Sequence, residues 1–233
     1  MSKSAPGIEQ RLQQLRSRIV AAAGAAGRDP AEIRLIAASK TFDAAAVREA
    51  HAVGQVDFGE NYVQEALDKM GELGDLPLVW HFIGPIQSNK TRAIAERFDW
   101  VHSVDRLKIA ERLSAQRPQS LPLLDICLEV NISGEASKGG VPAEDLPALA
   151  QAVSHLPRLR LRGLMAIPAP SSDPLEQRAA FAAVRRLYEA LRASGYSLDT
   201  LSMGMSGDLE AAIAEGATMV RVGTAIFGER VYA

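Results

Sequence analysis

Several common signatures of function are missing from this 233-residue sequence. It has one cysteine, Cys127, so no intrachain disulfide can form, and no cysteine–histidine cluster has the spacing of a metal site. No apolar run reaches the roughly 18 residues of a membrane span, and Met1–Gly7 lacks the apolar core of a signal peptide. The net charge of −2 gives no electrostatic case for nucleic acid or an anionic membrane. We therefore expect a cytoplasmic protein without metal, nucleic-acid or membrane partners.

Three catalytic motifs are also absent. The chain has no G-x-S-x-G nucleophile motif and no Walker lysine motif, and no G-x-G-x-x-G follows its first predicted strand. Hydrophobic residues make up 47% of the chain and charged residues 23%, which is typical of a globular protein with a full core. Its chemistry must therefore be sought at the ends of its secondary-structure elements.

What the chain does contain is a regular alternation of strands and helices. Ile8–Ala26 carries an apolar residue every three or four positions, which predicts an amphipathic helix. Short apolar segments then predict eight strands, and a helical segment follows each of the first seven. The predicted strands are Ile33–Lys40, Val56–Glu60, Leu78–Ile83, Trp100–Val104, Leu121–Val130, Leu159–Ile167, Leu201–Met205 and Met219–Phe227.

This alternation predicts a parallel sheet with right-handed crossovers. Eight units favour a single α/β domain over residues 1–233, a closed (β/α)8 TIM barrel with an extra N-terminal helix. That helix is expected to cover the gap where little chain follows the eighth strand. An open doubly wound sheet is the alternative, and the missing glycine-rich motif argues against it.

In such a barrel the functional site lies where the strands end. Lys40 closes the first strand, and it reads either as a solvated charge or as a Schiff-base or phosphate-contacting lysine. Ser206 and Gly207 follow the seventh strand and the eighth carries Gly223 and Thr224, which is typical of a phosphate site. The alternative is that Ser206 only caps a helix and Gly223 only allows packing.

A lysine opposite a phosphate site suggests a phosphorylated carbonyl compound. Pyridoxal 5′-phosphate (PLP) fits, and so does a sugar phosphate in an aldolase. Arg221 lies two residues before Gly223 and so points to the same side of the strand. There it could meet a pyridine nitrogen, or it could line the barrel in an ion pair with Asp208 or Glu60.

Other polar residues near the strand ends have weaker signals. His81 lies in an apolar strand, which favours a buried core histidine over an acid or base. Asn61 could bind a cofactor ring oxygen or cap the next helix. Lys138, in a glycine-containing loop, is interpreted as a solvated charge, with an anion contact as the alternative.

Six ordered segments give the sequence a specific resemblance. They are Ala38–Thr41, Phe58–Glu65, His81–Lys90, Gly163–Met165, Ser202–Asp208 and Arg221–Gly228. From about Ile8 to the C-terminus the chain resembles the PLP homeostasis proteins, the YggS/PROSC family. The resemblance implies a barrel like the alanine racemase N-terminal domain, PLP fold type III, with PLP held by a lysine.

The resemblance also implies roles for individual residues. Lys40 would be the Schiff-base lysine, and Arg221 would face the pyridine nitrogen. Ser206, Gly223 and Thr224 would hold the phosphate. Asn61 and His81 lie in matching motifs and are included among the cofactor-binding residues. No metal ligand or catalytic residue is implied.

The family implies a carrier or regulator in vitamin B6 and amino-acid homeostasis, without established catalysis. Its partners would be PLP and PLP-dependent apoenzymes, and we expect a monomer. The enzyme alternative is an amino-acid racemase of low activity. Racemases need a base on each face of the substrate, and alanine racemase takes one of them from a C-terminal domain that is not expected here. A Schiff-base aldolase is a third alternative.

Overall fold

The eight predicted strands form a closed parallel barrel in the computed structural model, which describes residues 6–135 and 139–228. Each strand pairs with the next, and β1 pairs with β8 to close the ring. The strands in the described ranges are β1 (Arg34–Ala38), β2 (Asp57–Glu60), β3 (Val79–Phe82), β4 (Trp100–Val104), β5 (Leu124–Glu129), β6 (Leu159–Met165), β7 (Thr200–Ser202) and β8 (Met219–Val222). The predicted fold class is confirmed.

Helices surround this barrel and alternate with its strands. In the described ranges they are α1 (Ile8–Ala25), α2 (Ala44–Ala52), α3 (Val63–Glu72), α4 (Thr91–Arg97), α5 (Leu107–Gln116), α6 (Leu146–Ser154), α7 (Pro174–Ala193), α8 (Leu209–Ala214) and α9 (Thr224–Phe227). In these ranges no helix combines the length and apolar character that crossing a bilayer requires.

Helix α1 completes the outer ring. The predicted apolar stripe, Ile8, Leu12, Leu15 and Ile19, is buried along its whole length. The helix packs against α8 and α9 on one side and α2 on the other. Arg28 adds two hydrogen bonds, because its Nη1 donates to carbonyl groups at the end of α8 and just beyond it. The N-terminal helix therefore covers the predicted gap beside the eighth strand.

Local sequence signals explain where several helices begin and end. The Asp43 and Asp173 side chains accept backbone N–H bonds in the first turns of α2 and α7, as N-caps do. Gly54 and Gly195 follow the last turns of these helices with φ values of +85° and +97°. Residues with side chains rarely adopt that conformation, so glycine ends each of these helices with little backbone strain.

One predicted boundary is wrong in an informative way. The eighth strand ends at Val222, and Thr224–Phe227 forms α9 where the prediction continued the strand. Short apolar runs do not distinguish a strand from a buried helix by periodicity alone. At the start of α5, Arg106 occupies the N-cap position, and its side chain binds Asp105.

Candidate cofactor site

A cavity of about 300 Å³ opens at the carboxyl ends of the strands. Six of the seven predicted cofactor residues line it: Lys40, Asn61, Ser206, Arg221, Gly223 and Thr224. Residues from the loops after β1, β2, β7 and β8 thus meet at one place. The barrel brings them together because the carboxyl ends of parallel strands share one face.

Lys40 enters this cavity from a backbone that is held on its N-terminal side. Ser39 comes directly after β1, and its N–H donates to the Gly59 carbonyl oxygen over 3.0 Å. The buried Ser39 hydroxyl donates to Glu60 Oε1 over 2.6 Å. Lys69 Nζ, from the buried side of α3, donates to the Ser39 carbonyl oxygen over 2.7 Å. The Ser39 residue that leads into Lys40 is therefore held by three residues that do not line the cavity, Gly59, Glu60 and Lys69.

Lys69 is the centre of a buried ionic cluster. Its Nζ lies 2.7 Å from Glu60 Oε1 and 2.7 Å from Glu65 Oε1, and only 4% of its side chain is exposed. Burial raises the pKa of Glu60 above its ordinary value, and the Lys69 charge opposes that rise. A paired cation is what keeps such a buried carboxylate tolerable.

The C-terminal side of Lys40 is held in a strained conformation. Thr41 has a φ of 70°, in the left-handed region that a β-branched residue rarely enters. Its N–H donates to Glu65 Oε1 over 2.5 Å, so the Lys69 cluster also holds this peptide. The next residue, Phe42, stacks on Phe227 of α9 at a centroid distance of 4.9 Å. Strain that is held in this way is typical of functional sites.

Arg221 lies deep in the cavity and is itself buried. Its Nη1 donates to Ser202 Oγ over 2.6 Å and its Nη2 to the Ala166 carbonyl oxygen over 3.1 Å. Burial lowers the pKa of Arg221 to about 10. Within residues 6–135 and 139–228 no carboxylate forms a salt bridge with its guanidinium, although Glu129 and Asp208 favour its charged form from a longer distance. A buried cation whose nearest carboxylates do not bind it directly suits a site for an electron-rich ligand.

The loops after β7 and β8 form the opposite wall. The N–H groups of Ser206 and Gly207 have no acceptor in the part of the chain that the structure describes. Space around Gly207 is open, whereas a Cβ on Gly223 would lie 2.9 Å from the Ala38 carbonyl oxygen. Asp208, and not Ser206, occupies the N-cap of α8. The Ser206 hydroxyl is therefore not needed as a cap, and this wall can accept an anion.

Asn61 lines the cavity with an unsatisfied atom. Its Oδ1 is buried and has no hydrogen-bond partner among the described residues. It does not cap α3, because Tyr62 holds the N-cap position. Gly84 packs against its backbone so closely that a Cβ there would lie 2.5 Å from the Asn61 carbonyl oxygen. A buried amide oxygen without a hydrogen-bond partner, at the wall of a cavity, is well placed to contact a ligand.

His81 is the predicted residue that the structure does not bring to the cavity. It is completely buried inside the barrel, where its ring stacks on Trp100 at 5.7 Å. Its Nε2 lies 2.9 Å from Asp57 Oδ1 and its Nδ1 lies 2.9 Å from His102 Nε2. Both ring nitrogens are thus occupied, which matches a core histidine. Lys138 lies outside the described residues.

Sequence reasoning missed the residues that support the site from behind. Lys69 lies three residues after Ala66 on the buried face of α3, and that helical spacing is a signal that could have found it. Ser202 and His102 gave no such signal, because each lies in a short strand, where no helical spacing marks a buried polar side chain. In the described parts of the chain no group of three His, Cys, Asp or Glu side chains is placed to hold a metal ion.

The chain is similar to known proteins over nearly its whole length. The family model of the alanine racemase N-terminal domain matches residues 10–231. The chain is 67% identical over 225 residues to a pyridoxal phosphate homeostasis protein of Pseudomonas aeruginosa, covering 97% of this chain and 96% of that one. It is 54% identical to the protein of that name from Escherichia coli, covering 97% of each chain.

A solved structure is also similar. PipY of Synechococcus elongatus, determined with PLP bound, superposes with a TM-score of 0.84 at 43% sequence identity. The match covers 95% of this chain and all of that one.

Proposed function

We propose, from the premise that this chain belongs to the family of pyridoxal phosphate homeostasis proteins built on the alanine racemase N-terminal domain, that it binds PLP in this cavity. Lys40 holds the cofactor aldehyde as a Schiff base, and the protein carries PLP or regulates its supply. The observation that supports this most is the meeting of one lysine, one buried arginine and an anion-accepting wall in a single cavity.

The residues fit PLP group by group. Lys40 supplies the amine for the aldehyde. The open N–H groups of Ser206 and Gly207, with the hydroxyls of Ser206 and Thr224, suit the phosphate. Arg221 donates to the pyridine nitrogen, and Asn61 reaches the ring hydroxyl with its orphaned amide. PipY, which was solved with PLP bound, is a relative at 43% identity that supports the same ligand here.

The cavity is better suited to holding PLP than to turning over amino acids. Bound PLP supplies an electron-withdrawing ring that stabilises carbanions, most strongly when its nitrogen is protonated. Arginine donates a hydrogen bond there but does not readily give up its proton. Among the described lining residues, Lys40 is the one that carries a side-chain amine. Tyr62, a tyrosine near the end of β2, is 58% exposed and does not line the cavity. A second base for racemisation is therefore missing from the described cavity wall.

Covalent trapping tests the attachment. Protein mixed with PLP should turn yellow, and borohydride should fix a pyridoxyl group that mass spectrometry maps to Lys40. Lys40→Ala should lose the label, whereas Lys90→Ala, at an exposed lysine beyond β3, should keep it. A wild-type protein that takes up no PLP would overturn the proposal.

A second experiment separates a carrier from a racemase. The PLP-loaded protein is incubated with single L-amino acids in deuterated water, and separately with a PLP-dependent apoenzyme. A carrier should activate the apoenzyme and leave the α-hydrogen in place. Incorporation of deuterium at the α-carbon together with the D-isomer, at many turnovers per protein, would favour the racemase.

A further inference from the structure

A continuous chain of hydrogen bonds runs through the barrel interior behind the cavity. Arg221 Nη1 donates to Ser202 Oγ over 2.6 Å, and Ser202 Oγ lies 2.7 Å from His102 Nδ1. His102 Nε2 lies 2.9 Å from His81 Nδ1, and His81 Nε2 lies 2.9 Å from Asp57 Oδ1. The chain joins Arg221, at the carboxyl ends of the strands, to the first residue of β2 at their amino ends. It thus spans the barrel, using side chains from β2, β3, β4, β7 and β8.

The two ends of this chain determine the direction of every bond in it. Arg221 can only donate, and the Asp57 carboxylate can only accept. His81 must therefore donate from Nε2 to Asp57, which leaves its Nδ1 to accept from His102 if the ring is neutral. His102 Nδ1 then accepts from the Ser202 hydroxyl, which in turn accepts from Arg221. Every donor and acceptor in the chain is satisfied when both histidines are neutral Nε2–H tautomers.

Burial favours the neutral form of both histidines. Each is completely buried, and desolvation is the main cause that lowers the pKa of His81 and, more strongly, of His102. The charged groups facing His81 are Asp57 and Asp99, which favour its protonated form, and Arg34, which opposes it. His102 faces the cations Arg221 and Arg34, which disfavour a second charge.

We propose that Asp57, His81, His102 and Ser202 are positioning residues that hold Arg221 as a donor at the ring nitrogen of the cofactor. The chain makes Ser202 an acceptor for the guanidinium, because its own proton is committed to His102. The last contact, from Arg221 to the ring, rests on the proposed function. None of these four residues lines the cavity.

The amino end of the chain reaches the protein surface. Asp57 is paired with Arg34 at 3.4 Å, and the side chains of these two residues are 18% and 47% exposed. Loss of the acceptor oxygen at Asp57 would break the bond from His81 and so disturb the bonds that lead to Arg221. The contact between Arg221 and the cofactor ring thus depends on an acceptor at the opposite end of the barrel.

The first test needs no cofactor. Nitrogen NMR of the histidine side chains in the PLP-free protein should show His81 and His102 as neutral Nε2–H tautomers, throughout a range of about one unit either side of pH 6.5, where free histidine titrates. An imidazolium or an Nδ1–H tautomer at either residue would overturn the polarised chain. Because this measurement does not involve PLP, its result is independent of the proposed function.

The second test cuts the chain at Ser202. Ser202→Ala should weaken PLP binding about 3- to 10-fold, the net value of one hydrogen bond, and should shift the absorption maximum of the bound cofactor. Ser114→Ala removes another buried serine hydroxyl, on α5 outside the barrel, and should leave both unchanged. An unshifted spectrum in Ser202→Ala would refute the positioning role.

The amino end supplies a conservative rescue. Asp57→Asn keeps an acceptor for His81 and should retain the wild-type spectrum, whereas Asp57→Ala should shift it in the same direction as Ser202→Ala. Equal spectra for the two Asp57 variants would contradict transmission along the chain. If wild-type protein bound no PLP at all, the proposed function would fail while the tautomer result still decided the structure of the chain.

Discussion

Lys69 shows how one buried charge can shape a site that it does not enter. Its ammonium group holds the peptide on each side of Lys40, directly at Ser39 and through Glu65 at Thr41. The strained φ of Thr41 is maintained by this cluster. The orientation of Lys40 thus depends on a residue one helix away.

Removing this cation should be costly. Lys69→Met leaves the fully buried Glu60 carboxylate without its partner, so we expect a loss of about 3–5 kcal/mol in the free energy of unfolding. Urea unfolding at neutral pH measures it. Lys108→Met, at an exposed position on α5, should change stability by less than about 0.5 kcal/mol. Equal stabilities for the two variants would contradict the role of the cluster.

Because of Glu129, at the end of β5, we expect the stability of the protein to depend on pH. Burial, with a smaller contribution from Asp105, raises its pKa from 4.5 to about 7, and Arg221 opposes the rise. Between these values the folded protein binds a proton that the unfolded chain releases. Stability is therefore lost as pH rises from 4.5 to 7, and the loss remains at higher pH.

Glu129→Gln should remove this loss. Relative to wild type, the variant should gain about 1–3 kcal/mol between acidic and neutral pH, as measured by urea unfolding at a series of pH values. Glu144→Gln, at an exposed glutamate, serves as the control and should show no comparable gain. A wild-type–variant difference that stays constant with pH would count against a buried, proton-binding Glu129.

At the scale of elements, the loop after β3 positions the residue after β2. Gly84 lies against the Asn61 backbone, and its carbonyl oxygen accepts a hydrogen bond from Ser103 Oγ over 2.5 Å. β2, β3 and β4 are therefore linked at their carboxyl ends through one glycine.

Gly84→Ala should disturb this link. Its Cβ would lie 2.5 Å from the Asn61 carbonyl oxygen, so the loop must move. We expect a stability loss of about 1–3 kcal/mol and weaker PLP binding in equilibrium titrations. Gly71→Ala, in α3 with nothing within 4 Å, should instead stabilise the protein, by about 0.5–1 kcal/mol, without changing PLP binding. Similar results for both variants would argue against the packing role of Gly84.

The elements themselves were largely predictable, and their exceptions have a physical cause. Alternating apolar segments located the strands and helices within a few residues. The strand ends near Lys40, Ser206 and Gly223 were predictable because the fold places them at one face. The chain from Arg221 to Asp57 was not, since His102 and Ser202 are 100 residues apart and meet only in the closed barrel.

At the scale of the whole molecule, α1 acts as the eighth full-length outer element. α9 has only four residues and cannot cover the barrel beside β8 alone. Leu12 and Leu15 of α1 fill that space and are almost completely buried.

A cavity where α1 packs beside β8 should lower the stability of the entire barrel. Leu12→Ala is expected to lower the free energy of unfolding by about 2–5 kcal/mol, the usual range for a fully buried leucine. Calorimetry and urea unfolding measure the change. Val20→Ala, on the same helix with its side chain 54% exposed, should have a much smaller effect. Equal losses would show that α1 is not packed as described.

The seam between α1 and α8 also has a kinetic consequence. The ion pair of Arg18 and Glu210 joins residues 192 positions apart, so its formation closes a loop that includes most of the chain. Closing such a long loop lowers the entropy of the chain before these contacts can stabilise it. We therefore expect the seam to form after the folding transition state, so that weakening it speeds unfolding while hardly slowing folding. The lifetime of the native barrel is then governed by its last-formed contact.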